Sequence, residues 1–399
     1  MDPTQKTISQ PQSSFSLLPD EITENILARV SRWYYPSLSL VSKQFRSLVS
    51  SMQIYKTRSQ IGSQETCFYV CLQLDDHPYS SWFSLWAKPN KTLAKEIGNI
   101  IIEKDDPSGN SVVPTPFSSS HSLPITNQNT VTVGSEIYII GGYYQKPSSF
   151  VRILDCRTHT WRNGPNMTVA RENVYALFVD EKIVVMGGCD INKYSAYWLE
   201  LFDMKTQSWT ALPGPGADDE LGKFLHDDYD QNIVDVFDGK LYVAVDDTEY
   251  VYEIGKILHD GTWKLVRQQS SFLFNLLVDW CEIENVIYCC TYFGELMWLD
   301  SKTKVREWRE IKGLGKLREH PTRGLRDGNE FVIENFGGKL LVMWGVSDDN
   351  KPTNKIWYAK ISLESRCNGG EVWGTVECAD VLTFPGDSYD SFICLTASV

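Results

Sequence analysis

Three observations predict a mainly β fold led by a small all-α segment. The hydrophobic pattern changes from a helical to a strand-like period near residue 60, a four-strand unit then recurs at intervals in the forties, and each copy carries a late tryptophan. Such a unit repeated around an axis is a β-propeller. The chain divides into a flexible tail over residues 1–14, a helical motif over 15–60 and the propeller over 61–399, for which six blades are expected.

Residues 1–14 are polar, rich in Ser and Gln and without apolar periodicity, the profile of an unstructured tail. From Leu18 the apolar residues Leu18, Ile22, Ile26, Leu27 and Val30 fall at helical spacing. Pro19 suits the first helical position, and Asp20 and Glu21 suit the positive end of the helix dipole. A break is expected at Tyr34-Tyr35-Pro36, after which Leu38, Val41, Phe45, Leu48 and Val49 form a second stripe with Lys43 and Arg46 on its polar side. Two or three short helices over 17–52 follow from this pattern. A unit of roughly 40 residues buries little surface by itself, so an external partner is expected to cover it.

Beyond residue 60, segments of four to eight residues rich in Val, Ile, Tyr, Phe and Trp alternate with Gly, Asp, Asn and Pro, which is strand chemistry. The clearest copies span 129–167 and 172–216: Gly141-Gly142 and Gly187-Gly188 lie 46 residues apart, and Trp161 and Trp209 lie 48 apart. Three degenerate copies follow, with turns at Asp238-Gly239, Glu284-Asn285 and Gly337-Gly338 and tryptophans at Trp263, Trp308 and Trp373. Glycine pairs at a strand end allow close backbone approach and a sharp exit, and an indole buries a large area between blades. Strands at 67–74 and 82–87 precede the first full copy, and 391–397 is a strand without a unit. Pairing the two ends would complete a sixth blade and remove an open edge. Residues 103–124, with four prolines and six serines, read as a long surface connection.

The composition excludes several function classes. Of 399 residues 42% are hydrophobic and 22% charged, with no apolar run long enough for a membrane helix and no secretion-signal profile at the start. Cytoplasmic or nuclear residence is the expectation. Lys+Arg 38 against Asp+Glu 51 gives a net charge of −13, and an acidic body disfavours nucleic acid. Ten scattered cysteines without a CxxC pair are expected to be reduced structural thiols.

The helical segment, LLPDEITENILARV followed by SLSLVSKQFRSLVSS, resembles the F-box motif, with Phe45 where that family often has Trp. The glycine pairs, aromatic strands and late tryptophans resemble kelch repeats. Together the two resemble the F-box/kelch substrate receptors of SCF-type cullin ubiquitin ligases, widespread in plants. The resemblance implies that Leu18, Pro19, Ile22, Ile26, Leu27, Val30, Leu38, Val41, Phe45 and Leu48 dock a Skp-type adaptor and, through it, a cullin. The propeller would hold a target protein for ubiquitination. A non-ligase kelch scaffold whose helices serve as a cap is the alternative, and an enzyme using the channel a third.

Kelch geometry implies that targets meet the loops after the second strands and those between blades. Here these supply Tyr143, Tyr144, Asp190, Asn192, Lys193, Phe293, Asp348 and Asp349 after second strands, and Arg171, Asn173, His226, Asp227, Asp228, Tyr229 and Arg323 between blades. Aromatic anchors mixed with Arg and Asp suit protein recognition. No catalytic constellation is present: HExxH, GxSxG and P-loop motifs are lacking, and Gly313-Leu314-Gly315 lacks a third glycine. The six histidines are isolated, and those in loops, among them His159, are expected to be solvated. Seven carboxylates in 218–235 do not follow the EF-hand spacing and read as a solvated acidic loop, with recognition of a basic segment as a second reading. No cofactor, metal or catalytic residue is expected.

Overall fold

The structure is a computed structural model that describes residues 18–74, 80–86, 111–114, 125–126, 128–142, 146–189, 198–212, 214, 233–237, 240–245, 248–269, 277–300, 308–318, 325, 330–345, 355–384 and 388–399. It separates into two compact units, residues 1–65 with Val399, and residues 66–398. The expected tail over 1–14 lies outside the described residues.

In the first unit, α1 (Asp20–Ala28) starts after Pro19 with Asp20 and Glu21 in its first turn. A 3-10 turn over Arg32–Tyr34 runs into α2 (Tyr35–Leu38). The expected break at Tyr34-Tyr35-Pro36 is therefore helical, because a proline in a first turn forfeits no helical hydrogen bond. Ser42 caps α3 (Lys43–Val49) by accepting from the Phe45 N–H at 3.1 Å, so Leu38 and Val41 precede the helix that carries Phe45. Ser51 likewise caps α4 (Met52–Gln60), accepting from the Ile54 N–H at 3.3 Å. This last helix extends the helical unit beyond the expected limit at 52. Its sequence MQIYKTRSQ conceals it, since Ile54 and Tyr55 are the apolar residues it buries and the rest of its buried face is Thr57 and Arg58. Burying Arg58 requires partners: its guanidinium donates to the carbonyls of Ala28 (3.1 Å) and Val30 (2.8 Å) and to the Tyr35 hydroxyl (3.2 Å), and pairs with Glu65 at 3.2 Å. Leu27, Ala28, Tyr35, Phe45, Val49, Ile54 and Tyr55 form the core of the unit.

The second unit is a β-propeller of four-stranded antiparallel sheets. Five sheets are each built from consecutive strands. They comprise β4 (Thr130–Val133), β5 (Glu136–Ile140), β6 (Val151–Asp155) and β7 (Thr160–Asn163); β8 (Tyr175–Val179), β9 (Lys182–Met186), β10 (Leu199–Asp203) and β11 (Ser208–Leu212); β12 (Ile233–Phe237), β13 (Lys240–Val245), β14 (Thr248–Glu253) and β15 (Leu265–Gln269); β16 (Leu277–Ile283), β17 (Val286–Thr291), β18 (Leu296–Asp300) and β19 (Arg309–Glu310); and β20 (Phe331–Asn335), β21 (Leu340–Gly345), β22 (Lys355–Arg366) and β23 (Glu371–Thr383). A further sheet joins β24 (Tyr389–Ser398) from the C-terminus to β1 (Thr66–Leu74), β2 (Ser81–Trp86) and β3 (Ser111–Pro114), in the order β24-β1-β2-β3. β24 pairs with β1 from Thr66↔Ser398 to Leu74↔Tyr389, so the two ends of the propeller lie in one sheet. β3 falls inside 103–124, where a long surface connection is expected; an extended SVVP segment there adds an edge strand to the sheet, a position at which proline is tolerated.

First strands of successive sheets pack side by side: β4 with β8, β8 with β12, β16 with β20, β20 with β24 and β24 with β4. The glycine pairs explain one of these seams. Gly142 N donates to the Arg171 carbonyl at 2.8 Å and Glu172 N to the Gly188 carbonyl at 2.8 Å. A Cβ at Gly142 would run into the Lys146 carbonyl oxygen, and one at Gly188, where φ is +67°, into that of Glu172. Trp161 stacks edge-on against Trp82 at 5.6 Å and Trp263 against Trp198 at 5.5 Å, while the Trp209 indole donates to the Pro165 carbonyl at 2.9 Å. Trp263 and Trp308 stand just before β15 and β19, while Trp161, Trp209 and Trp373 lie within fourth strands. His159, expected to be solvated, is instead half-buried, at φ +55°, with its ring nitrogen 3.0 Å from the Tyr69 hydroxyl. All ten cysteines are free thiols. A helix within the third repeat, α5 (Ile254–Asp260), departs from the strand pattern; its signal is Ile254 and Ile257 on one face and Gly261 at φ +70° closing the end. A short helix α6 (Gly315–Arg318) follows β19.

Candidate functional site

The helical unit keeps an apolar surface in spite of having its own core. α1 has two faces: Thr23 and Leu27 turn inward against α3 and α4, while Ile22 and Ile26, four residues apart, are 50% and 37% exposed. The turn between α2 and α3 adds Leu40 at 86% and Val41 at 66% exposure. Gln44 on α3 donates to Asp20 at 2.5 Å, which ties the starts of the two helices and brings Leu40 and Val41 to the end of α1 that carries Pro19. Of the residues implied as adaptor contacts, Pro19, Ile22, Ile26 and Val41 are exposed and Leu18, Val30, Leu38 and Leu48 are half-buried. Leu27 and Phe45 are core residues and offer no contact surface. The stripe rule groups them with the others because helical spacing marks apolar residues without telling which of two faces each serves. Leu40, the most exposed of all, escapes the sequence reading because it sits in a turn outside either stripe.

In the propeller, antiparallel order puts the loops after the second strands and the connections between sheets at one end of each blade. Among the residues implied there, Phe293 lies in the β17–β18 loop, 42% exposed and edge-on to Tyr292 at 5.8 Å, itself 51% exposed. Phe150, in the equivalent β5–β6 loop, is 53% exposed. Tyr292 and Phe150 were not singled out by sequence, where nothing distinguishes an exposed aromatic from a packed one. Asn173 is exposed at φ +49°. Tyr143, Tyr144, Asp190, Asn192, Lys193, His226, Asp227, Asp228, Tyr229, Arg323, Asp348 and Asp349 lie outside the described residues, as does most of the acidic segment 218–235.

Arg171 corrects the sequence expectation outright. It is fully buried and pairs with the equally buried Glu200 at 2.9 Å. Its guanidinium also donates to the carbonyls of Gly187 (2.5 Å) and Trp198 (3.1 Å), and Glu200 further accepts from the N–H groups of Thr168 (2.7 Å) and Val169 (3.3 Å). The arginine follows the connection after β7, and its head group is spent on the next blade. Sequence position gave a loop; only the fold says which way a loop side chain turns.

The first strands enclose a central cavity of about 720 Å³, lined from β4, β8, β16, β20 and β24. Three carboxylates face it. Asp279 accepts from the Ile333 N–H at 2.9 Å, Glu330 from the Phe392 N–H at 3.1 Å, and Glu334 from the Thr396 hydroxyl at 3.2 Å, so each bonds across to the neighbouring blade. Burial pushes Asp279 and Glu330 up to about 7, and burial together with the charge of Asp279 pushes Glu334 up to about 8. No grouping of three or more His, Cys, Asp or Glu among the described residues has metal-holding geometry.

Comparison with known proteins places these two surfaces in context. The F-box domain model matches residues 15–57, and that of the FKB95 Kelch-repeats domain matches residues 82–383. The F-box/kelch-repeat protein At5g39560 of Arabidopsis thaliana is 43% identical over 411 residues, covering 99% of this chain and 95% of that protein. The F-box/kelch-repeat protein At4g19865 of the same plant is 40% identical over 389 residues, covering 97% and 93%.

Proposed function

Because this chain belongs to the F-box/kelch-repeat family, we propose that it is the substrate-recognition subunit of an SCF-type E3 ubiquitin ligase, in which the helical unit docks a Skp-type adaptor and the propeller holds the target. The observation that carries this reading is the exposed set Ile22, Ile26, Leu40 and Val41 on a unit whose own core is already filled. Apolar side chains left out of a complete core are what a partner subunit would cover. The propeller is, under this reading, a closed ring of six blades; the β24–β1 pairing supports it, since an edge strand paired with the opposite terminus resists opening.

The chain itself would perform no bond chemistry. It would raise the effective concentration of a target lysine beside a conjugating enzyme, with transfer carried out by other subunits, in the cytoplasm or nucleus. The test is retention of a purified Skp-type adaptor by the full-length chain and by Ile22→Asp/Val41→Asp. The wild type should hold the adaptor and the variant should lose it with its helical circular dichroism unchanged. Equal retention, or none by either protein, overturns the reading.

A further inference from the structure

The mouth of the central cavity combines features that the adaptor role leaves unused. Leu277 of β16 pairs with Thr291 of β17, which places Val278, 40% exposed, at the same rim as Tyr292 and Phe293. Glu330 immediately precedes β20, at that same end, and its backbone carbonyl accepts from Gly345 at the end of β21 at 3.1 Å. Glu334 lies four residues further along, about 13 Å deeper at the rise of an extended strand. Asp279 stands between them, level with Ile333.

The lining thus carries carboxylates at increasing depth, starting from the end at which the β17–β18 loop exposes Tyr292 and Phe293. Among its described residues there is no Lys, Arg or His. On the β4 wall, the buried Thr132 hydroxyl has no hydrogen-bond partner. Each carboxylate is held by neutral donors from the next blade, which fix its position without balancing its charge. A cation entering here would meet three pre-positioned acceptors in a site of low dielectric, where charge complementarity counts for more than on an open surface. Exposed aromatics next to such a site are the usual anchors of protein interfaces.

We propose that this mouth receives a lysine or arginine side chain from an exposed segment of the target, with Glu330 meeting it first and the apolar neighbours of that segment packing on Tyr292 and Phe293. The identification of the ligand as a target protein rests on the substrate-receptor reading; the chemistry of the pocket does not.

The test is selection of a displayed library of random 12-residue peptides on the immobilised full-length chain, followed by binding measurements with synthetic copies of the selected peptides. They should share a Lys or Arg beside an apolar residue, and replacing that residue by Gln should weaken binding about tenfold or more, the scale of one lost hot-spot contact. Glu330→Gln should weaken it comparably, and Tyr292→Ser/Phe293→Ser should do so independently. All three variant positions lie at the rim, and unchanged urea midpoints will show that the fold is kept. Peptides lacking a basic residue, peptides indifferent to these substitutions, or a selection that yields no binders each overturn the proposal. Adaptor retention by the same variants is read in parallel: its absence in every protein, the wild type included, defeats the ligase reading and leaves the peptide result standing on its own.

Discussion

Replacing Arg171 by Met removes a cation from the seam between the blade of β4–β7 and that of β8–β11. In the native chain the pair is 0% exposed on both sides, and the guanidinium meets Glu200 with two of its nitrogens, at 2.9 and 3.2 Å. After substitution Glu200 would keep only the N–H groups of Thr168 and Val169, and the carbonyls of Gly187 and Trp198 would lose the charged donor they share. Removing one partner of a buried pair costs about 3–5 kcal/mol, against a total stability on the order of 5–15 kcal/mol. We expect a loss of about 4 kcal/mol, measured as a lower urea midpoint with unchanged slope. The double variant Arg171→Met/Glu200→Leu should recover a large part of this, because no buried charge is then left alone. A destabilisation under about 1 kcal/mol for the single variant, or no recovery in the double, would refute the reasoning, since surface substitutions stay in that range. Were Arg171 a target contact instead, stability would be indifferent to it and only target binding would fall.

Glycine substitutions should separate close approach from mere turn geometry. Gly188→Ala drives a Cβ into the Glu172 carbonyl at φ +67° and should cost over about 2 kcal/mol, whereas Gly134→Ala, at φ +59° with open space around it, should cost only about 1 kcal/mol for the left-handed backbone; thermal melts would compare them. Arg58→Met strips the shared donor from Ala28, Val30 and Tyr35 and leaves Glu65 without its ion pair. It should unfold the helical unit ahead of the propeller, read as early loss of helical circular dichroism during a thermal melt. The cavity carboxylates make propeller stability pH-dependent. Their folded pKa values lie above the unfolded ones, so Asp279, Glu330 and Glu334 contribute stability that is fully present below the ordinary carboxylate range and is lost as pH rises through 7 to 8. The thiols of Cys281 and Cys394 and the Tyr389 phenol nearby are themselves pushed up and stay neutral over that range. Asp279→Asn/Glu334→Gln should therefore flatten the fall in urea midpoint between pH 5.5 and 8; an unchanged slope would contradict the assignment.

The repeat itself was legible in one dimension. Period, glycine pairs and late tryptophans are local consequences of a strand-turn-strand unit that must bury a face against its neighbour, so each copy carries its own record of the fold. The strand at 391–397 could likewise be matched to an unfilled place, because an incomplete unit at each end of a repeat array leaves few other partners; β24 occupies it. The helix α5 and the strand β3 were missed because two apolar positions, or four residues beside a proline-rich stretch, fall below what periodicity resolves.

What sequence alone determined was the kind of surface each segment can make: an apolar-striped helical motif, and aromatic loops on a repeated β scaffold. Which individual residues serve it was decided by the tertiary structure. Leu27 and Ile26 are neighbours of similar hydrophobicity, yet one is core and the other exposed, because 100° of helical rotation separates them. Arg171 occupies a loop position suited to recognition but turns into the next blade, where Glu200, 29 residues away, waits for it. The cavity carboxylates come from two strands about fifty residues apart, Asp279 from β16 and Glu330 and Glu334 at β20, and the first meets the other two only once the sheets are arranged around an axis. Long-range proximity of this sort leaves no trace in spacing, since it arises from packing between units rather than within one.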